Sequence, residues 1–579
     1  MIPGELRGKL RAWLADDPDE RDRAELEALA GDGSDAAAAE LADRFAQTLE
    51  FGTAGLRGAV AAGPNRMNRA VVRGATAALA GWLRGRGRAM AGPGAAEAGV
   101  VIGCDARHRS DEFADEAARV LAGAGIRVHL LPAQQPTPLL AFAVTHLRAA
   151  AGIMITASHN PRADNGYKLY LADGAQVIPP ADAEIESAIR GLGPLAQVPL
   201  APPASPLITQ HGDEVAAAYL DLVCANSPAP PDAAWLRFVY TPLHGVAGGL
   251  AMRAFEQAGF TPPDVVAAQA APDPDFPTVA FPNPQEPGAL DLALAQARRS
   301  GADLVLANDP DGDRLAVAVP DHNAATGWRI LTGDQVGALL GAYLLGGRTP
   351  AGPDQPGAGH PGDGTDDRLV VSTIVSSTLL SRIAAAAGAQ YAQTLTGFKW
   401  IARAGDSRPG SHFVFGYEEA LGYAVGDTVR DKDGIGTALA LLGLAARARS
   451  GGKSLLDAYD ALEAAHGVHL TAQVSVGTAA PVDVMARLRA AAPPELGGAQ
   501  VVAITDLTGG TWDLPSADVL SYQLAGARAV IRPSGTEPKI KAYFEVVEPV
   551  FFGRLEEARQ AAAARLSPLR EAVQALLAG

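Results

Sequence analysis

The chain has 579 residues, of which 48% are hydrophobic and 19% charged, an ordinary globular composition that excludes wholesale disorder. Because single hydrophobic cores stop growing near about 250 to 300 residues, this length predicts several domains. The formal net charge of −16 disfavours general nucleic-acid binding, so any phosphate site must be a local cluster of cations, backbone N–H groups or metal.

Residues 1–50 are predicted to be helical and to cap the first domain. The apolar positions recur at helical spacing and comprise Leu6, Leu10, Leu14, Leu41, Phe45 and Leu49. The N-terminal segment lacks the apolar core of a signal peptide, and the longest apolar runs fall short of a membrane span. Cys104 and Cys224 are too few for a disulfide framework. We therefore expect a cytoplasmic protein with no membrane partner.

A pattern of strand, polar loop, Ala-rich helix and strand begins near Val100 and again near Arg237 and Leu369. Copies spaced by roughly 130 residues exclude a solenoid and predict three similar α/β domains, each with a βαβ-like unit. From about Val468 the chain alternates like strands, and a long helix follows from Gly553, which predicts a C-terminal α+β domain.

The predicted domains follow from these patterns. A helical cap of 1–50 precedes α/β domains at 51–212, 213–330 and 331–465, and the α+β domain takes 466–579. The Gly/Pro-rich stretch 346–368 has the composition of a flexible surface loop, and we assign it no chemistry.

The first chemical motif follows an apolar strand and contains Thr156, Ser158, His159 and Asn160. Such a strand delivers Ser158 to the carboxyl end of a sheet, where open α/β folds bind their ligands. An ordinary turn closed by Asn-Pro explains this segment equally well when it is taken alone. Lys168 follows shortly after and could return over the loop as a cation or proton-transfer group.

The second motif places Asp309, Asp311 and Asp313 at alternate positions between two apolar strands. Two unit charges about 4 Å apart repel by about 4 kcal/mol at an effective dielectric of about 20, so convergence requires a hard divalent cation or protonation. Oxygen-only ligands indicate Mg²⁺ rather than Zn²⁺. A solvated acidic turn is the alternative, and an EF-hand is disfavoured because no Glu stands at its twelfth position. The flanking strands favour a metal site.

The third motif is a turn near the C-terminus. Its side chains and amides could cradle a phosphate, and the residues are Arg532, Ser534, Gly535 and Thr536. A hairpin turn with chance polar residues is an equally good explanation when this segment is taken alone.

Two further segments are suggestive. Residues 51–58 form a glycine-rich loop carrying Arg57, although many such loops are only turns. Glu418 and Glu419 stand beside aromatic residues, an arrangement that suits a sugar, but acidic residues at a helix N-terminus would look the same.

Taken together, these segments resemble the α-D-phosphohexomutase family. Five family motifs occur in order between Phe51 and Tyr543: GTAGLRG, TASHNP, DPDGDR, the Glu-containing sugar loop and RPSGTEP. FGTAGLRG, TLTGFKW, GYEEALGY, DKDG and RPSGTEPKIKAY look most like the phosphoglucomutase and phosphopentomutase branch. Five motifs in family order are far more specific than any one of them.

The resemblance implies an α/β molecule with three similar mixed-sheet domains and a smaller C-terminal α+β domain around a central cleft. It implies a phosphosugar mutase that uses Mg²⁺ and a sugar bisphosphate, glucose 1,6-bisphosphate, as activator and intermediate. A small phosphosugar would be the partner of a monomer or homodimer.

The resemblance also implies roles for individual residues. Ser158 would be the phosphorylated nucleophile and a metal ligand through its phosphate, with Asp309, Asp311 and Asp313 as the protein ligands of the metal. The remaining catalytic candidates are Arg57, Lys168 and His159, with Lys168 as general acid or base. Substrate-binding candidates are Arg314, Thr396, Gly397, Phe398, Glu418, Glu419, Arg532, Ser534, Gly535 and Thr536.

Two departures from the family pattern bear on the sugar. Ala420 stands where many members carry Ser, and Tyr423 or its surroundings stand where bacterial phosphomannomutases often have a His. Both disfavour mannose, so the expected order is glucose 1-phosphate, ribose or deoxyribose 1-phosphate, then mannose 1-phosphate. The alternatives are a glucose 1,6-bisphosphate synthase with a different phosphoryl donor, a phosphatase, and a non-catalytic phosphosugar-binding protein.

Overall fold

A computed structural model describes residues 2–50, 55–85, 94–346, 367–478, 480–535 and 539–578. Most of the predicted Gly/Pro-rich loop, 347–366, therefore lies outside the described residues. The chain forms two compact units. The first contains Met1–Ala229, Arg237–Ala318 and Thr428–Leu439, and the second contains Pro230–Leu236, Val319–Asp427 and Ala440–Gly579.

The first unit contains a six-stranded mixed sheet. In spatial order its strands are Leu56–Ala59, Asp164–Leu171, Ala151–Ile155, Val100–Cys104, Val128–Leu130 and Ile208–Gln210. The last four strands run parallel to one another. The second strand, Asp164–Leu171, pairs antiparallel with both of its neighbours, Leu56–Ala59 and Ala151–Ile155. Val100–Cys104 and Ala151–Ile155 are buried along their whole length, as their unbroken apolar sequences require in a sheet covered on both faces.

A second sheet of the first unit carries the acidic motif. Around that motif, the strands of this sheet lie in the spatial order Leu315–Pro320, Leu304–Asn308, Phe238–Thr241 and Asp264–Val265. Leu304–Asn308 runs parallel to Phe238–Thr241 and antiparallel to Leu315–Pro320. The acidic motif is thus the turn of a hairpin between two buried strands.

Helices cover these sheets. In chain order they are Gly4–Asp16, Glu20–Asp32, Asp35–Arg44, Arg69–Arg84, Ala95–Ala98, Ser110–Gly123, Thr137–His146, Ala181–Arg190, Glu214–Asn226, Ala247–Ala258 and Asp291–Ser300. Asp19 and Ser34 cap the second and third helices by accepting hydrogen bonds from backbone N–H groups. The first three helices pack around Leu26, Leu41 and Phe45.

The second unit contains a four-stranded mixed sheet. Its strands lie in the order Gln390–Thr394, Arg368–Thr373, His412–Glu418 and Gly422–Val425, and only the last pair is antiparallel. Strand Trp328–Ile330 also belongs to this unit. The accompanying helices are Gly333–Leu344, Leu379–Ala387, Phe398–Ile401 and Leu455–His466, together with the part of helix Gly434–Ser450 that begins at Ala440.

The C-terminal part of the second unit is an antiparallel sheet. Its strands follow the order Val468–Gly477, Lys539–Glu548, Ala527–Pro533, Leu520–Leu524, Ala499–Asp506 and Glu495–Leu496. Helices Pro481–Ala490 and Leu555–Ala578 pack on this sheet, the long helix through Ala562, Leu569 and Val573.

The predicted fold class is confirmed, with mixed sheets in three α/β regions and an antiparallel C-terminal sheet. Each predicted βαβ unit pairs its strands in parallel: Val100–Cys104 with Val128–Leu130, Phe238–Thr241 with Asp264–Val265, and Arg368–Thr373 with Gln390–Thr394. The exact domain boundaries and the central cleft stay predictions. Within the described part of the chain, no helix is long and apolar enough to cross a membrane.

Candidate active site

Ser158 lies in the turn that follows the buried strand Ala151–Ile155 of the first unit. Its side chain is nearly inaccessible, with 2% of the residue exposed. Ser158 Oγ donates a hydrogen bond of 2.9 Å to Asp309 Oδ2, and His159 Nδ1 lies 3.1 Å from the same serine oxygen. The first and second sheets therefore bring the predicted nucleophile and the acidic motif into contact.

Lys168 reaches the acidic motif from the neighbouring strand. It lies on Asp164–Leu171, directly opposite Met154 in the antiparallel register. Its Nζ donates to Asp311 Oδ2 at 2.7 Å and to Asp313 Oδ2 at 3.0 Å. Burial alone would lower the pKa of Lys168, but these two carboxylates outweigh it and raise the pKa above its usual value. The side chain is therefore a charged ammonium.

The three aspartates converge as predicted. Each offers an oxygen atom within 4.8 Å of the others, and none is more than 1% exposed. At this separation or less, each pair of carboxylates repels by at least about 3.5 kcal/mol at an effective dielectric of about 20. Burial and the charges of Asp313 and Asp311 raise the pKa of Asp309 to about 8. Such a cluster is therefore stable only with nearby positive charge or with a carboxyl group protonated.

The donor set fits a hard divalent cation. Asp311 Oδ1 and Asp313 Oδ1 are buried without a hydrogen-bond partner in the described structure. Buried carboxylate oxygens are costly unless something pairs with them. Carboxylate ligands alone suit Mg²⁺ or Ca²⁺ better than softer metals.

The remaining predicted residues of the first unit surround this centre. Arg57 donates to Asn160 Oδ1 at 3.1 Å, which links it to the serine turn. Arg314 Nε lies 3.9 Å from both Asp309 Oδ2 and Asp313 Oδ1. Burial, followed by the charges of Arg314 and Arg57, lowers the pKa of His159 well below its usual value, so its imidazole is neutral.

Sequence reasoning missed three residues of the segment Thr428–Leu439. Lys432 Nζ lies 3.3 Å from Asp313 Oδ2. Asp431 accepts hydrogen bonds from Tyr170 and Gln176, and Asp433 accepts one from Tyr219. The DKDG string indicates only a family match, and nothing in it predicts a place beside the acidic motif.

Thr137 was also missed. Its Oγ1 donates to Asp311 Oδ2 at 2.7 Å, and its backbone N–H donates to the Asp311 carbonyl at 2.9 Å. The residue begins the helix Thr137–His146, so its sequence context indicates only a helix start.

The predicted sugar-binding residues lie together in the second unit. The Gly397 N–H donates to Glu418 Oε1 at 3.0 Å, which joins the predicted specificity loop to the end of strand His412–Glu418. Thr396 is partly exposed, whereas the Phe398 side chain is buried in the core and anchors the loop. Glu419 Oε2 accepts long hydrogen bonds of 3.4 Å from Thr373 and Ser376.

The predicted phosphate turn belongs to the same unit. Arg532 donates to the Tyr543 hydroxyl at 3.2 Å and stands over its ring at 5.7 Å. Ser534 and Gly535 are at least partly exposed, and Thr536 lies outside the described residues. Burial, followed by the charges of Glu418 and Asp334, raises the pKa of Glu419 to about 7, whereas Arg532 lowers it. An arginine and a pair of carboxylates therefore interact here.

The sequence matches one family along nearly its whole length. Models of the phosphoglucomutase/phosphomannomutase alpha/beta/alpha domains I, II and III match residues 48–193, 217–323 and 332–465. The model of the C-terminal domain of that family matches residues 474–561.

Individual proteins agree with the family match. The chain is 40% identical over 489 residues to a probable phosphomannomutase of Haemophilus influenzae, covering 83% of this chain and 93% of that protein. It is 36% identical over 547 residues to a phosphopentomutase of Mus musculus, covering 88% and 86%. A crystal structure of a putative phosphomannomutase from Thermus thermophilus superposes with a TM-score of 0.65 at 25% identity, covering 91% and 99%. The chain therefore belongs to the phosphoglucomutase/phosphomannomutase family of phosphosugar mutases.

Proposed function

We propose that this mutase moves a phosphoryl group between two hydroxyls of a sugar through a phosphoserine at Ser158. The observation that carries the proposal is the hydrogen bond of 2.9 Å from Ser158 Oγ to Asp309, within a buried cluster of three carboxylates. A serine there can carry a phosphoryl group whose charge a bound cation neutralises.

In the first step, phosphoSer158 gives its phosphoryl group to the free hydroxyl of a sugar monophosphate. The bond from phosphorus to Ser158 Oγ breaks while the sugar oxygen bonds to phosphorus, and a sugar bisphosphate forms. Lys168, held as an ammonium by Asp311 and Asp313, is the candidate to donate a proton to the departing Oγ and to regain one from the hydroxyl. Transfer back from the other phosphate to Ser158 completes the isomerisation.

Charge stabilisation supplies most of the acceleration in such transfers. Mg²⁺ held by Asp309, Asp311 and Asp313 would neutralise charge on the phosphoryl oxygens. Arg57 and Arg314 are the first unit's candidates to bind the same oxygens. In the second unit, Arg532, Ser534, Gly535 and Thr536 are the candidates for holding the phosphate that is not transferred, and Glu418 and Glu419 for binding sugar hydroxyls.

The preferred substrate is proposed to be glucose 1-phosphate, with glucose 1,6-bisphosphate as intermediate and activator. Support comes from the family, whose description names glucose and mannose, and from Ala420 and Tyr423, which disfavour mannose. The similarity to a phosphopentomutase makes ribose 1-phosphate the second choice. Relative kcat/KM values on the glucose, ribose and mannose 1-phosphates test this order, and a higher value for mannose would overturn it.

The covalent step is tested with Ser158→Ala. The wild-type chain, treated with glucose 1,6-bisphosphate and Mg²⁺, should gain the mass of one phosphoryl group, and the variant should gain none and lose mutase turnover. Ser205→Ala, at another buried serine of the first unit, should retain both properties. Mutase turnover retained by Ser158→Ala would refute the proposal.

A further inference from the structure

Ser158 has an unusual backbone conformation for a residue with a side chain. Its φ is +53°, in the left-handed region that glycine favours. Holding such a conformation costs on the order of 1 kcal/mol or more, so the surrounding structure must fix it. The contacts of its backbone show which residues do so.

Arg107 binds the carbonyl side of the turn. This residue follows strand Val100–Cys104, and its side chain is 1% exposed. Its guanidinium donates to four backbone carbonyl oxygens of the serine turn: those of Ser158 at 2.6 Å, Asn160 at 2.6 Å, Pro161 at 2.8 Å and Asp164 at 3.0 Å. One planar fork therefore fixes the path of the chain on the C-terminal side of the nucleophile.

Asp105 binds the N–H side of the same turn through Thr156. The Ser158 N–H donates to Thr156 Oγ1 at 2.9 Å, and that hydroxyl donates to Asp105 Oδ2 at 2.6 Å. Asp105 also accepts from the Arg107 N–H at 3.0 Å and from Ser110 Oγ at 2.7 Å. The N–H and the C=O of Ser158 are thus both held by residues two positions apart in one loop.

The environment strengthens these hydrogen bonds. Arg107 Nε lies 3.4 Å from Asp105 Oδ2, which ties the two residues together. The Phe276 ring lies 5.1 Å from the guanidinium carbon and is 3% exposed. Charge-assisted hydrogen bonds shielded from water are stronger than neutral ones. Because both terminal nitrogens of Arg107 are occupied by carbonyl oxygens, Arg107 is not a ligand of the transferring phosphoryl group.

We propose that Asp105 and Arg107 form a positioning pair that holds Ser158 in its left-handed conformation and thereby points Oγ at the acidic cluster. The inference rests on the proposed function of Ser158. It assigns Asp105 and Arg107 a positioning role, in which they act through Ser158 and do not contact the substrate. It concerns the rate of phosphoryl transfer, because neither residue contributes a group that binds the sugar.

The test compares Arg107→Lys and Arg107→Ala with Arg73→Lys. Lysine keeps the charge but cannot span several carbonyls with one planar fork. Arg73 is a similarly buried arginine of the first unit and lies in the helix Arg69–Arg84. Its guanidinium donates a hydrogen bond of 2.5 Å to Glu116. We expect kcat to fall about 100-fold in Arg107→Lys, as for a nucleophile misplaced by about 1 Å. KM for glucose 1-phosphate should stay within about threefold. Added guanidinium ion should partly restore Arg107→Ala.

Two readouts separate this inference from the proposed function. A crystal structure of Arg107→Lys should show Ser158 outside the left-handed region, and a φ that remains near +53° would overturn the inference whatever the activity. A kcat no lower than that of Arg73→Lys would overturn it as well. Failure of the wild-type chain to gain a phosphoryl group would instead refute the proposed function, and the conformation of Ser158 in the variant would still decide the role of the pair.

Discussion

Lys432 Nζ lies 3.3 Å from Asp313 Oδ2, the carboxylate oxygen that also accepts a hydrogen bond of 3.0 Å from Lys168. Two ammonium groups from distant parts of the sequence thus share one oxygen of the candidate metal centre. The Lys432 ammonium neutralises the Asp313 carboxylate, and it also competes with a metal ion for binding to that carboxylate.

Lys432→Met should therefore change metal binding and turnover in opposite directions. Removing a competing charge should tighten Mg²⁺ binding by about tenfold, whereas loss of a cation near the transferring group should lower kcat by roughly 10- to 100-fold. Calorimetric titration with Mg²⁺ and steady-state kinetics measure the two effects. Lys453→Met, at an exposed lysine, should change neither. Weaker Mg²⁺ binding in Lys432→Met would contradict the proposed competition.

Asp313→Asn should weaken Mg²⁺ binding by about 100-fold, because one anionic ligand becomes a neutral amide. The dissociation constant from calorimetry is the measurement, and turnover at saturating Mg²⁺ should recover only in part. Asp321→Asn is the matched control, since this buried aspartate pairs with Arg329 at 2.6 Å and lies outside the cluster. Equal Mg²⁺ affinity in both variants would exclude Asp313 as a ligand.

Gly434→Ala should destabilise the first unit. A Cβ at Gly434 would lie 2.4 Å from the Arg314 carbonyl oxygen and 2.4 Å from Asn308 Nδ2, so backbone would have to move. We expect a loss of about 1 to 3 kcal/mol in the free energy of unfolding, measured by urea denaturation. At Gly249, inside helix Ala247–Ala258, nothing lies within 4 Å of the added Cβ. Gly249→Ala should therefore stabilise the chain by up to about 1 kcal/mol, and the opposite order of the two effects would contradict this reasoning.

Acid should weaken the second unit through Glu545. Burial alone would raise its pKa, but hydrogen bonding from His469 and the charge of Arg528 lower it from 4.5 to about 2. The folded state therefore binds fewer protons than the unfolded state, and the stabilisation is complete above about pH 4.5 and is lost as pH falls toward 2. The shift corresponds to roughly 3 kcal/mol.

Glu545→Gln tests that assignment by chemical denaturation between pH 7 and about pH 3. The variant should be less stable than the wild-type chain at pH 7, and the difference should shrink as the pH falls. Exposed Glu557 offers the matched control, because Glu557→Gln should leave the pH profile unchanged. A stability difference that is constant over this range would rule out the proposed titration.

Local patterns in the sequence were sufficient to predict the strands that carry the site. Val100–Cys104 and Ala151–Ile155 are unbroken apolar runs, which only a doubly covered sheet accommodates. The convergence of Asp309, Asp311 and Asp313 was predictable because three acidic side chains at alternate positions of one short Gly/Pro-shaped turn can all reach a common point. In each case neighbouring residues determine the structure.

Other parts of the site depend on contacts between distant segments. Lys432 and Thr137 reach the aspartates from a separate loop and a helix start, and no local pattern specifies those approaches. The neutral state of His159 depends on burial and on two arginines placed by the fold. The left-handed conformation of Ser158 is equally invisible in the sequence, since serine is not a residue that favours it.

The placement of Thr428–Leu439 in the first unit has a consequence for biosynthesis. Residues Val319–Asp427, which belong to the second unit, leave the ribosome before this segment does. A nascent chain that ends before Asp431 therefore lacks the carboxylate that Tyr170 and Gln176 bind in the finished protein. The hydrogen bonds of Tyr170 and Gln176 to Asp431 can therefore form only after most of the polypeptide has been translated.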